Sequence, residues 1–328
     1  MSKAHAITLT SQGGLTVTIL TLGGIITEIL AVNRDGVREN VVLNYPNLTD
    51  YEANPSFLGC LIGPVAGRSK NGQIFVDERV DVLDTHLHPN SLHSGTDGLH
   101  QVYWTVSEQS DQKVTLTYTP EDGAFPWNQI HYAVTYTVSA ETLTIDYFAT
   151  SKVKAYLSMT NHSYFNLSGN PETTILSHEL TLNCSHFARI DSESLPTELV
   201  PLEGSALDFS NKAPLEKAVS SSAPDILIAA GIDHPFKCHN IANIAVLTDA
   251  ASGRQLKVST TQPYVVIYSG NFLAASESPS GYTFTKHAGI CFETQDLPNI
   301  TENPLDDICY LDAEHPYTHR TVFEFSPL

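Results

Sequence analysis

Apolar and polar positions alternate with a period of two along much of the chain. Leu15-Thr16-Val17-Thr18-Ile19 is one such run, and Val114-Thr115-Leu116-Thr117-Tyr118 is another. Tyr132, Val134, Tyr136 and Val138 form a third apolar face, and Leu143-Thr144-Ile145-Asp146-Tyr147 a fourth. Each pattern predicts a strand with one face on a core and the other toward solvent. Ser139-Ala140-Glu141-Thr142 joins the last two runs and predicts a hairpin. Further strands are expected at 244–247, 256–260, 265–268, 289–293 and 322–325, with a turn at Asp249-Ala250-Ala251-Ser252-Gly253 between the first two. Helical signals are few: a short helix at 224–230 and a single turn at 51–54. Many strands and turns with little helix predict an all-β protein, a large antiparallel β-sandwich. No internal repeat or low-complexity segment interrupts it. Ser220-Ser221-Ser222 is too short for a linker, so residues 1–328 are expected to form a single domain.

Composition narrows the function. Of 328 residues, 17 are basic and 36 acidic, for a net charge of −19. That balance argues against nucleic acid and against a phosphate-rich ligand. Five scattered cysteines with no CxxC pair argue against a disulfide framework and a zinc–thiolate site, and fit a reducing cytoplasm. Met1-Ser2-Lys3 leads into His5 rather than an apolar run, and nothing reaches the roughly 18 apolar residues of a membrane span.

Six stretches carry candidate chemistry. In Asn161-His162-Ser163-Tyr164-Phe165-Asn166, polar neighbours flank a histidine and two aromatics follow. Such a residue is a candidate general acid or base, with Asn161 and Ser163 to orient the ring; the plainer reading is a satisfied histidine at a strand end. Residues 63–72 hold three glycines, Arg68 and Lys70 without the order of a phosphate-cradling loop. They make either a tight turn with a solvated arginine or an arginine presented to sugar hydroxyls or oxyanions. His86, His88 and His93 could approach a metal, but Pro89 ends a shared strand and no nearby carboxylate completes the set. His93 reads better as a single polar group on a loop. Asp233, in Gly231-Ile232-Asp233-His234-Pro235-Phe236, either caps a turn or accepts hydrogen bonds from a ligand. Glu293 follows Ile290-Cys291-Phe292, and a carboxylate on an apolar strand is uncommon unless paired or functional. Upstream, residues 262–272 mix aromatics and amides, which suits a sugar or an ordinary core strand with a polar end.

Taken together and in order, these motifs resemble the aldose 1-epimerases (galactose mutarotases). The matching stretches are Gly67-Arg68, Leu92-His93-Ser94-Gly95, Gly123-Ala124-Phe125-Pro126, residues 161–167, residues 231–236, residues 263–272 and Cys291-Phe292-Glu293-Thr294-Gln295. His-Ser-Gly stands where the family commonly has His-Gly-Gly, Ile232 where tyrosine is also common, and Asn71-Gly72 is a slight variant. The resemblance implies a galactose mutarotase-like supersandwich. It also implies interconversion of the α and β anomers of free aldoses such as galactose and glucose. By that resemblance Glu293 is the base for the C1 hydroxyl and His162 the acid for the ring oxygen, starting as carboxylate and imidazolium. His93, Arg68 and Asp233 would hold the sugar. No metal or organic cofactor is implied, and the protein would act as a monomer or homodimer. Alternatives are an epimerase for a disaccharide such as maltose and a non-catalytic sugar-binding or sensor protein. A glycosidase would need two carboxylates flanking the scissile bond, and a sugar-phosphate epimerase more cations.

Overall fold

The computed structural model describes residues 4–85, 89–121, 126–238 and 242–328. Three antiparallel sheets dominate. The largest has nine strands, in the order Thr105–Gln109, Lys113–Tyr118, Ile130–Ser139, Thr142–Ser151, Tyr317–Pro327, Arg254–Thr260, Ala245–Asp249, Glu179–Leu182 and Ala213–Pro214. Its centre is the expected hairpin. Ser139 pairs with Thr142, and Ala140 takes a left-handed φ of 49° in the turn. Tyr132, Val134, Tyr136 and Val138 are buried, as alternation requires.

A six-stranded sheet runs Tyr164–Phe165, Ile290–Gln295, Tyr264–Tyr268, Asp233–Cys238, Cys184–Ile190 and Pro196–Pro201. A four-stranded sheet joins Ala6–Thr10, Thr16–Leu20, Ile26–Val32 and Arg38–Asn40. Side chains from all three enter one core cluster, among them Ile7, Val17, Val134, Ile145, Ile267, Phe292 and Phe323. A smaller cluster around Tyr45, Tyr51, Tyr164, Leu273 and Cys291 lies to one side of it. The architecture is therefore the large antiparallel sandwich expected from the period-two pattern.

The α-helices are two short ones, Leu215–Val219 and Pro224–Ala229 among the described residues. Pro224 opens the second, where its missing N–H costs nothing, and Ala230 closes it with a left-handed φ of 56°. The turn expected at 51–54 is a 3₁₀ turn at Leu48–Glu52. Among the described residues, no helix is long and apolar enough to cross a membrane.

Asp233–Cys238 is a strand that a proline would ordinarily rule out. Tyr264–Tyr268 pairs with it from Asp233 to Lys237, while on the other side Cys184–Ile190 pairs only with Phe236, Lys237 and Cys238. Pro235 thus sits where the ladder has a neighbour on one side alone, so its missing N–H breaks no bond on the other.

Candidate active site

Local pairing brings the candidate residues together. Arg68–Ser69 pairs with Ser91–Leu92, which sets Arg68 opposite Leu92 and beside His93. His93 N–H donates to the Gly67 carbonyl at 2.9 Å, and Gly67 N–H returns to His93 Nδ1 at 3.2 Å. His93, Ser94 and Gly95 all take left-handed φ angles of 53°, 68° and 64°. Ser94 offsets that cost with its hydroxyl, which accepts from Val65 N–H at 2.8 Å and donates to the Val65 carbonyl at 3.1 Å. Gly67 cannot carry a side chain, since a Cβ there would meet Pro298 at 2.8 Å.

Thr160–Asn161 pairs with Leu61–Ile62, and His162 N–H donates to the Cys60 carbonyl at 2.8 Å. Here the structure reverses a detail of the sequence reading. Asn161 does not orient the ring: its amide donates to the Gly59 carbonyl at 2.8 Å and its carbonyl accepts Ser163 N–H at 3.1 Å. Asn161 fixes the backbone, the Ser163 hydroxyl is buried with no hydrogen-bond partner among the described residues, and rings fix the ring. Tyr164, His93 and Phe57 surround the imidazole at centroid distances of 5.0, 5.3 and 6.0 Å. Phe165 instead enters the core against Phe292, Phe323 and Phe325.

Ile290–Gln295 is buried at every position. Ile290 and Phe292 belong to the main core cluster, while Cys291 belongs to the smaller one. On the alternate face Glu293 and Gln295 line a cavity of about 200 Å³ that also exposes Arg68, His93, His162 and Asp233. All five side chains singled out from the sequence therefore meet in one pocket. His86, His88 and the residues 123–125 of the family-like turn lie outside the described residues.

Glu293 Oε1 lies 3.6 Å from His162 Nε2, and Arg68 Nη1 lies 3.9 Å from Asp233 Oδ2. Burial pushes the Glu293 carboxyl up to about 8; the Asp233 charge adds to this and Arg68 opposes it. Burial also pushes His162 down to about 4. The free protein thus favours neutral imidazole and protonated carboxyl, the opposite of the imidazolium and carboxylate expected to start the reaction. The proton count of the pair is the same in both descriptions: one proton, held between two groups. Asp233 is raised by its own burial, with Arg68 opposing.

His93, His162 and Glu293 each offer an atom within 4.8 Å of the others, a spacing a metal ion could use. The hydrogen bonding of His93 weighs against that. Gly67 N–H occupies Nδ1, so the neutral ring carries its proton on Nε2 and has no lone pair there to give. A metal-binding histidine ordinarily shows the reverse, an N–H donated to an acceptor behind it. His93 is instead set up as an N–H donor into the pocket.

The sequence reading did not single out Gln295 or Phe57, and it covered Tyr268 and Phe272 only within the sugar-suited stretch 262–272; all four line the cavity. Gln295 carries the clearest signal. Its Oε1 is buried with no hydrogen-bond partner among the described residues, while its Nε2 donates to the Asp296 carbonyl at 3.1 Å. Its place two residues after Glu293 on a strand could have found it.

The family model described as aldose 1-epimerase matches residues 5–324. The chain belongs to the aldose 1-epimerase family. It is 33% identical over 318 residues to galactose mutarotase of Rattus norvegicus, covering 95% of this chain and 91% of the relative. The galactose mutarotase of Homo sapiens matches with the same identity and coverage. Aldose 1-epimerase of Escherichia coli K12 is 28% identical over 330 residues, 97% of this chain and 94% of the relative. Among solved structures, an aldose epimerase homologue from C. elegans superposes with a TM-score of 0.89 at 23% identity, covering 99% of this chain and all of that one. Galactose 1-epimerase from Lactobacillus acidophilus NCFM gives 0.85 at 24% identity, over 99% and 95% of the two chains. These structural likenesses establish the shared fold.

Proposed function

We propose that this member of the family is an aldose 1-epimerase that interconverts the α and β anomers of free aldoses such as galactose and glucose. The observation that carries the proposal is the buried His162–Glu293 contact, at 3.6 Å, on the floor of a hexose-scale cavity. Ring opening moves one proton off the C1 hydroxyl and another onto the ring oxygen, so it needs a base and an acid that together hold one proton. The pair fills that need once its proton passes from Glu293 to His162 in the complex. Glu293 then takes the C1 hydroxyl proton while His162 Nε2–H gives its proton to the ring oxygen. The bond between C1 and the ring oxygen breaks, and an open-chain aldehyde results. Rotation about C1–C2 presents the other carbonyl face, and the same transfers in reverse close the ring.

His93 Nε2–H donates to the ring-oxygen or C1 region in this scheme. Arg68 and Asp233 hold sugar hydroxyls, and Gln295 Oε1 accepts from another. The reading includes one domain spanning 1–328, no cofactor, a cytoplasmic location consistent with five free cysteines, and a monomer or homodimer.

Polarimetry on freshly dissolved α-D-glucose, α-D-galactose and maltose tests it. The protein should speed the approach to equilibrium rotation for glucose or galactose. His162→Asn and Glu293→Gln should each lose at least about a hundredfold. Wild-type protein that leaves both hexoses at the spontaneous rate would sink the proposal. Acceleration of maltose alone would replace free hexose with a disaccharide.

A further inference from the structure

We propose that Cys291 is a positioning residue for His162: its sulfur accepts the Nδ1 proton of the imidazole, leaving Nε2 as the nitrogen that exchanges protons. The inference builds on the acid role proposed above for His162.

The two ring nitrogens face different groups. Nε2 lies toward Glu293 Oε1, and Nδ1 lies 3.5 Å from Cys291 Sγ. Both partners come from one face of Ile290–Gln295, two residues apart. Cys291 is fully buried and His162 nearly so, which keeps water from substituting for the thiol. The other titratable groups around the imidazole are His93, His100, Tyr164, Tyr268 and Glu293. Among the described residues, the Cys291 sulfur is the side-chain hydrogen-bond partner of Nδ1.

The chemistry asks for such a partner. An imidazolium that gives its Nε2 proton to the ring oxygen is left neutral with its remaining proton on Nδ1. A neutral ring protonated on Nε2 would have to become an imidazolate to do the same, which is out of reach near neutral pH. The site must therefore favour the Nδ1–H form whenever the ring is neutral, and a buried N–H without an acceptor is costly. Sulfur is a weak acceptor. It holds the tautomer without the strong rise in imidazole basicity that a carboxylate in its place would cause, so Nε2 remains a willing donor. Burial, with Glu293 and Asp233, also drives the Cys291 thiol well above its ordinary range, so it stays neutral.

The test compares Cys291→Ala, Cys291→Val and Cys291→Ser with wild type by mutarotation kinetics and by ¹⁵N NMR of the His162 ring. Valine fills the volume of the thiol without an acceptor, which guards against an alanine cavity that unfolds the protein. Wild type should show the Nδ1–H form. Alanine and valine should shift the ring toward Nε2–H and lower kcat about tenfold, with KM within about twofold. Serine, whose oxygen can accept, should restore the Nδ1–H form and most of kcat. An Nδ1–H ring in the valine or alanine variant would overturn the inference, and so would equal kcat losses in serine and valine. A wild-type protein with no mutarotase activity would defeat the proposed function, while the NMR tautomers would still decide the role of Cys291.

Discussion

Replacing Glu293 by glutamine should remove activity and stabilise the fold, and the stabilisation should grow with pH. Glu293 is buried, and its carboxyl is held near 8 against an ordinary value near 4.5. The folded protein keeps this proton where the unfolded chain has lost it. The sign follows: the penalty for burying Glu293 is absent below about 4.5, grows with pH, and levels off above about 8. At about 1.4 kcal/mol per pH unit, the penalty reaches about 3 kcal/mol near pH 6.5 and about 5 kcal/mol near pH 9. Glutamine has the same shape and no charge, and its amide can still donate to His162 Nε2. Urea unfolding of wild type and Glu293→Gln at both pH values measures the difference, with His162 neutral throughout because burial holds it near 4. The variant should be more stable at both, by about 2 kcal/mol more at the higher pH. A variant that is less stable than wild type, or whose advantage is the same at both pH values, would refute the reasoning.

Three further outcomes follow from the same geometry. The profile of kcat/KM against pH should be a bell with limbs near 4 and 8, because the pair holds two protons below the first and none above the second; a profile flat through pH 8 would contradict the shared-proton pair. Asp233→Asn should raise KM about tenfold by weakening a hydroxyl contact, and should move the alkaline limb to lower pH, because the Asp233 charge helps hold Glu293 up. An unmoved limb would show that Asp233 does not act on Glu293. Ser94→Ala should cost about 2 kcal/mol in urea unfolding, since it removes two buried hydrogen bonds to Val65 and keeps the left-handed φ. Ser94→Gly should cost less, because glycine tolerates that φ.

Sequence reasoning reached the residues more readily than their surroundings. Strands with clean alternation, such as Ile130–Ser139, were legible because one face is buried and the other is not. Asp233–Cys238 was not, because its proline is tolerated only by a one-sided ladder that the sequence does not display. His162, Glu293, Arg68, His93 and Asp233 stood out as reactive types in telling company, and they do share a pocket. What oriented them was hidden. Asn161 looked like a ring partner because it is adjacent, yet neighbours on a strand point to opposite faces, and it serves the backbone instead. Tyr164 packs on the His162 ring from two residues away, but the other groups that touch it come from distant segments: Phe57, His93, Tyr268 and Cys291. The resting protonation was also out of reach, since it depends on burial.

The strand Ile290–Gln295 has a consequence for how the protein can change. Ile290, Phe292 and Thr294 face the interior, where Thr294 meets the Thr321 hydroxyl at 2.6 Å. Glu293 and Gln295 face the pocket, and Cys291 on the same side meets the His162 ring. Neither side of this ribbon is spare. A deletion or insertion of one residue would exchange the two sets, driving a carboxylate into hydrocarbon and a phenylalanine into the sugar's place. Variation in length should therefore be barred from these six positions. New substrate preferences would have to arise at the rim, around Phe272, Ser276 and Ser194, where side chains can change without passing through the core.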